Sequence, residues 1–375
     1  METNAQEILK KLISYPSISP NDHGCQTYIR DFLTHLGFQI QDFSTHDTTN
    51  TWAWRGNIND VKIVFAGHTD VVPVNSTEWA TDPFCLTEKD DTLYGRGTAD
   101  MKGAIAAFMS VLPDLCQADI PIGIILTSDE EGDATYGTKY ITDQLIALGL
   151  KPDHILIGEP SCLDQLGDSI RIGRRGSIHF KGIVPGISGH TAYPDKCTNP
   201  IDTLQVLYSE YQTILSACQP KKHGMYPPSH LSFSSFESGY ISNNVTPTDT
   251  SFSWNLRYSP FFSIKHFREN IDLLHQRLHI TGLWSTPSQP YDGKKSVLTD
   301  TLMHVIETHT GIKPDLNAAG GTSDGRFLQK FNCEVVEFGH INRTIHQNNE
   351  SIQAQDLSLL SQVYKNTLIK LSIEK

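Results

Sequence analysis

Two hydrophobic periods divide the chain. Apolar residues at helical spacing mark residues 5–14 (Ile8, Leu9, Leu12, Ile13) and 24–36 (Tyr28, Ile29, Phe32, Leu33, Leu36), with Gly37 closing the second. A short strand, FQIQDF, follows. The run VKIVFAGHTDVV, Val61 to Val72, predicts a buried strand that ends in Gly67-His68-Thr69-Asp70. MKGAIAAFMSVLPDL, from Met101, predicts a helix. PIGIILT predicts a second buried strand ending in SDEEGD, residues 136–148 another helix, and HILIGEP a third strand ending at Glu159. Strands alternating with helices predict an α/β fold, a mainly parallel sheet with helices on both faces.

After about residue 176 the period changes. SIHFKGIVPG and the block at 231–258 alternate polar and apolar residues, as half-exposed antiparallel strands do. Helices are expected at 199–217, opening Asn199-Pro200, and at 264–279. Beyond about 290 the first pattern returns: a helix at 296–310, the loop AAGGTSDGRF, the strand NCEVVEFG, the loop INRTIHQNNE and a helix at 355–372. Residues 1–175 and 290–375 are therefore expected to form one discontinuous domain, with 176–289 an inserted α+β domain.

Composition narrows the function. With 30 Lys+Arg against 42 Asp+Glu, the net charge of −12 argues against nucleic acid and anionic membranes as partners. Seven scattered cysteines without a CxxC pair suggest neither disulfides nor a thiolate zinc site, and a reducing cytoplasm is expected. METNAQEILKKLIS reads as an amphipathic helix rather than a signal peptide, and no apolar run approaches the ~20 residues of a membrane span.

Ligand-type residues gather just past the strand ends: His68 and Asp70, Glu130 and Glu131, and Glu159. Asp100 precedes a helix in a glycine-rich turn, and His346 follows the last strand. Open parallel sheets bind ligands at that edge. Histidine with carboxylate and no cysteine suits catalytic Zn²⁺, Mn²⁺ or Co²⁺. Two histidines and three carboxylates suit two open sites sharing a bridge, with metals ~3.5–4 Å apart. Asp70, two residues beyond His68, is placed to accept the second ring N–H of that histidine. One of Glu130 and Glu131 can ligate while the other takes a proton from water.

The series FAGHTDVVP, LYGRGTADMKG, TSDEEGD, GEPS, GRRGS, GGTSDGRF and TIHQNNE, in that order along nearly the whole chain, resembles the di-zinc amidohydrolases that include aminoacylase and carboxypeptidase G. The resemblance implies two Zn²⁺ per subunit, replaceable by Co²⁺ or Mn²⁺. It implies His68, Asp100 and Glu159 on one ion, Asp100, Glu131 and His346 on the other, Glu130 as general base, and a cis peptide at Asp100–Met101. It further implies that the inserted domain is a lid and dimerisation domain. His190, in GISGHTAYP, would cross to the partner's site in a homodimer and steady the oxyanion, with Asn243 and Asn244 of SNNVTP beside it.

The implied substrate is a small anionic N-acyl amino acid, a succinylated diamino diacid, with an acetylornithine-like compound or a small peptide as the alternative. Candidates to hold it are Arg175, Ser177, Tyr193, Arg257, Gly321 and Thr322, besides the two asparagines. Arg171 and Arg174 are expected in a solvated loop. His340, where relatives often carry proline, is expected on a loop surface.

Overall fold

The structure is a computed structural model and describes residues 4–239, 242–321 and 323–373. It divides into two compact units. The first comprises Met1–Gly173, Gly293–Asn317 and Ser323–Lys375; the second comprises Arg174–Asp292 and Ala318–Thr322.

The first unit is built on an eight-stranded sheet ordered Gln39–Asp42, Asn50–Arg55, Ile122–Thr127, Ile63–His68, His154–Ile157, Glu334–Glu337, Ser169–Arg171, Asp315–Asn317. Its four middle strands run parallel. Ile63–His68 and Ile122–Thr127 are buried along their whole length, which is why they read as continuous apolar runs. Alternate side chains point to opposite faces. Val64, Ala66, Ile125 and Ile155 pack toward Ile141 and Leu145 of the Thr138–Ala147 helix. On the other face Phe65 stacks on Phe108 of the Lys102–Gln117 helix at 3.9 Å, with Tyr364 of the Ala354–Ile373 helix edge-on. Asn50–Arg55, a strand that the hydrophobic pattern alone does not predict, lies inside the sheet.

Register decides where the chemistry falls. His68 pairs with Thr127, and Ala66 with Ile157. The residues two to four past these strand ends, Glu130, Glu131 and Glu159, therefore reach one edge beside His68. Glycine permits the close approach there. A Cβ on Gly67 would lie 2.5 Å from Met101 Cε, and one on Gly158 2.7 Å from the same atom. The Asp100–Met101 peptide is cis.

The second unit is a four-stranded antiparallel sheet ordered His230–Ser238, Asp249–Tyr258, Gly176–Pro185, Thr281–Trp284. The Pro200–Cys218 and Ile264–Arg277 helices bury Leu207, Tyr211, Phe267 and Ile271 against Phe180, Phe252 and Trp254. Asn199 caps the first of these helices by accepting the Ile201 N–H at 3.2 Å, with Pro200 at the first helical position. The loop Ala318–Thr322 falls with this unit, and Arg174 donates to the Ala319 and Gly321 carbonyls at 3.2 and 2.9 Å. Arg171 and Arg174 are thus buried, not solvated. Among the described residues no helix is long and apolar enough to cross a membrane.

Candidate metal centre

His68 ends its strand almost fully buried. Its Nε2 lies 3.1 Å from Asp100 Oδ1 and 3.5 Å from Glu159 Oε1. Its Nδ1 lies 3.0 Å from the Asp70 carbonyl oxygen and 3.6 Å from Asp70 Oδ1. The nearer acceptor that fixes the tautomer is thus the main chain of Asp70, and Nε2 is left for a metal. The Asp70 carboxylate instead accepts the N–H of Glu130 at 3.2 Å and of Glu131 at 3.0 Å, and so shapes the turn that carries both glutamates.

Asp100 offers one oxygen to each histidine, Oδ1 to His68 and Oδ2 to His346 Nε2 at 3.3 Å. Glu131 Oε1 lies 2.9 Å from the same His346 nitrogen. His346 is half-exposed and held at φ 60°, a backbone few non-glycine residues adopt. Two sets of donor atoms, His68–Asp100–Glu159 and Asp100–Glu131–His346, each lie within 4.8 Å of one another and share Asp100; His68–Glu130–Glu131 forms a third such set. Imidazole nitrogens and carboxylate oxygens in open groups of three are the donors that catalytic divalent ions take. These residues fit such ions.

The electrostatics agree. Burial opposes the Asp100 charge, yet His346 and His68 hold its carboxyl well below the usual range. Burial would depress the His68 imidazolium, but Asp100, Asp70 and Glu130 raise it well above its ordinary value. Asp100 and Glu131 carry His346 up to about 10. A cation bound there would displace the protons that these carboxylates favour on the two histidines. Glu130 is pushed well above the carboxylate range by burial and then by Glu159 and Asp324.

The remaining candidates lie in the second unit. Arg175 and Arg257 are half-buried, and each is held below its ordinary pKa by burial, Arg175 also by Arg257. Arg257 is paired in register with Ser177 on one side and His230 on the other. Arg175 Nε is buried without an acceptor among the described residues. His190 is exposed, bridged to Val245 and set edge-on to Tyr193. Thr191 N donates to the Asn244 carbonyl at 3.0 Å, and Asn243 is exposed in the adjoining turn. Gly321 is exposed, and Thr322 lies outside the described residues.

Three buried groups escape a reading of strand ends. His340 is wholly buried, not on a loop surface, because Gly103 leaves room for its ring: a Cβ there would lie 2.8 Å from Nε2. Burial pushes it down to about 3, so it is neutral. Asp324, in GGTSDGRF, accepts the Thr138 hydroxyl at 2.6 Å and is raised to about 6 by burial. Glu350 holds the loop before Asp100 from behind.

A sequence profile of Peptidase family M20/M25/M40 matches residues 64–370. A succinyl-diaminopimelate desuccinylase of Bordetella petrii is 38% identical over 98% of each chain. One from Coxiella burnetii is 36% identical over 96% of this chain and 97% of its own. The solved M20 metallo-carboxypeptidase Sso-CP2 of Sulfolobus solfataricus aligns over the full length of both chains at TM-score 0.79 and 18% identity. Human carnosine dipeptidase 1 aligns at TM-score 0.72 and 17% identity over 98% of this chain and 97% of its own, a likeness of fold. Asp100 and the four donors gathered round it thus sit on the fold of a known group of metal-dependent hydrolases, and the chain belongs to Peptidase family M20/M25/M40.

Proposed function

We propose that this protein hydrolyses the amide bond of N-succinyl-LL-2,6-diaminopimelate, giving succinate and LL-2,6-diaminopimelate for lysine and cell-wall precursor synthesis in the cytoplasm. The observation that carries the reading is the near full-length similarity to two desuccinylases, in a chain that keeps a complete donor set round Asp100.

His68, Asp100 and Glu159 would hold one Zn²⁺, and Asp100, Glu131 and His346 the other. Such ions supply a Lewis acid for the amide carbonyl and lower the pKa of water. Glu130 takes a proton from the attacking water as its oxygen bonds to the succinyl carbon. Glu130 then gives that proton to the amide nitrogen as the C–N bond breaks, so the amine leaves neutral, and the new carboxyl group keeps the water's oxygen and releases its other proton to solvent as succinate forms. Its raised pKa favours the first transfer, the uptake of the proton. Asp70 keeps Glu130 and Glu131 in place through their N–H groups.

Arg175 and Arg257 are assigned to the substrate's carboxylates, with Ser177, Tyr193, Asn243, Asn244, Gly321 and Thr322 around them. Two neighbouring guanidiniums, partly desolvated in a protein of net charge −12, favour an anionic ligand. His190 is assigned to the oxyanion formed in a second copy of the chain. Exposed Phe236 on the edge strand His230–Ser238, with exposed Tyr208 and Ile201 lining the same cleft, favours a homodimer through this unit. Phe236→Glu should then yield monomers in sedimentation.

The deciding experiment is turnover of Zn²⁺-loaded protein on N-succinyl-LL-2,6-diaminopimelate beside N-acetylornithine and a dipeptide. Succinate release abolished by chelator and restored by Zn²⁺ supports the reading. Turnover of only another substrate overturns the substrate assignment, and no turnover of any overturns the reaction.

A further inference from the structure

Glu350 lies four residues beyond His346 and is 1% exposed. A buried carboxylate is costly unless its lone pairs are matched. Here each oxygen has two donors. Oε2 accepts Arg96 Nη1 at 2.9 Å and the Gly97 N–H at 2.8 Å. Oε1 accepts the N–H of Ala99 at 2.8 Å and of Asp100 at 2.9 Å. Three main-chain N–H groups converge because the loop curls through Gly97 at φ 88°, forming the kind of concave nest that binds anions. The anion that fills it belongs to the same chain, 250 residues further on.

The attachment continues on both sides. Gly95 N–H donates to the Glu350 carbonyl at 3.0 Å, and Ser351–Gln353 pairs antiparallel with Thr92–Tyr94. The segment bearing Asp100 and the segment bearing His346 are thereby fastened together behind the donor atoms. Asp100 presents one oxygen to His68 and the other to His346 from a main chain whose N–H Glu350 holds.

We propose that Glu350 is a positioning residue for the metal centre: by binding the Gly97, Ala99 and Asp100 N–H groups it fixes the shared Asp100 carboxylate between His68 and His346. It acts through Asp100 and touches no substrate. This rests on reading Asp100 as the shared ligand, and the test separates the two ideas.

The probe is Co²⁺ alone, followed by its visible absorption and by competition with a chelator. The wild-type protein should bind two Co²⁺ per chain; failure there overturns the ligand reading itself. Glu350→Gln keeps the shape but turns an NH₂ toward two main-chain donors. It should keep the far-ultraviolet circular dichroism of the wild type, weaken Co²⁺ binding roughly 10–100-fold and change the absorption band, as loss of a group that orients a ligand does. It should lower kcat and leave KM within about twofold, because the interaction serves the reacting centre and not substrate binding. Glu350→Asp, which draws the carboxylate back by one methylene, provides the same readings if Glu350→Gln does not fold. Wild-type Co²⁺ affinity and absorption in either variant, with only the melting temperature lowered, would reduce Glu350 to a stabilising loop contact. Failure of both variants to fold would do the same.

Discussion

Replacing Asp70 by asparagine removes a charge and almost no volume. The Asp70 carboxylate is fully buried. Its Oδ2 accepts Glu131 N–H at 3.0 Å and Glu130 N–H at 3.2 Å, while Oδ1 faces Glu130 N–H at 3.3 Å and His68 Nδ1 at 3.6 Å. Asparagine can keep an oxygen at the Oδ2 position, but then its NH₂ faces the Glu130 N–H and the His68 ring. One charge-assisted hydrogen bond is lost, worth about 1.5–3 kcal/mol. That cost falls on Glu130, the proposed base, and on His68. The expected result is a kcat roughly 10–100-fold lower, at about 1.4 kcal/mol per tenfold. The fold should survive, because the Asp70 carbonyl still receives His68 Nδ1–H. Steady-state kinetics on the Zn²⁺-loaded protein, with metal content measured on the same sample, provides the check. A kcat within about twofold of wild type at full metal content would show that the charge on Asp70 does not matter to Glu130 or His68, and the reasoning would be wrong.

Other expectations follow from the same geometry. Glu130→Ala should abolish turnover while metal content by atomic emission stays near wild type; loss of metal would make Glu130 a ligand rather than the base. In the metal-free protein Asp100 and Glu131 raise His346 from 6.5 to about 10, so the stability it contributes is complete below pH 6.5 and lost as the pH rises through 10. A metal must displace that proton, so its apparent affinity should rise over the same range. Calorimetry of metal loading at neutral pH, in buffers of different ionisation heat, should register released protons. Gly67→Ala would push a methyl to 2.5 Å from Met101 Cε, which Gly158 confines on its other side, so chemical denaturation should show a loss of about 1–3 kcal/mol.

The sequence is most legible where one physical rule acts alone. The fully buried strands Ile63–His68 and Ile122–Thr127 are continuous apolar runs, and long amphipathic helices keep their period. The donors past strand ends can be inferred because parallel strands share one edge. Legibility fails where the cause is a distant partner. Asn50–Arg55 becomes an inner strand only through pairing with Ile122–Thr127, some seventy residues on. His340 is buried because a glycine far away in the chain makes room for it. Arg174 looks like a solvated cation until the Ala319 and Gly321 carbonyls arrive to accept it. Glu350 closes TIHQNNE, four residues after His346, yet nothing local marks it as the acceptor for a loop at Arg96–Asp100. Asp70 is a subtler case. A His-x-Asp pair suggests contact between side chains, whereas the main chain takes the imidazole N–H and frees the carboxylate for the glutamate turn.

The clamp on Asp100 also sets a clock on assembly. Its donors precede its acceptor by 250 residues, so at about 5–20 residues per second the loop emerges from synthesis roughly 12–50 s before Glu350 exists. His346 and the strand Glu334–Glu337 arrive equally late. During that interval His68, Asp100 and Glu131 lack the last of the proposed ligands and the frame that aligns them. On the proposed ligand set, a nascent chain therefore meets cellular metal with an unfinished centre, and two ions would be held only by the completed protein. A chain stopped at residue 345 and loaded with Zn²⁺ should hold at most the ion of His68, Asp100 and Glu159; two ions retained there would show that the late segment is dispensable.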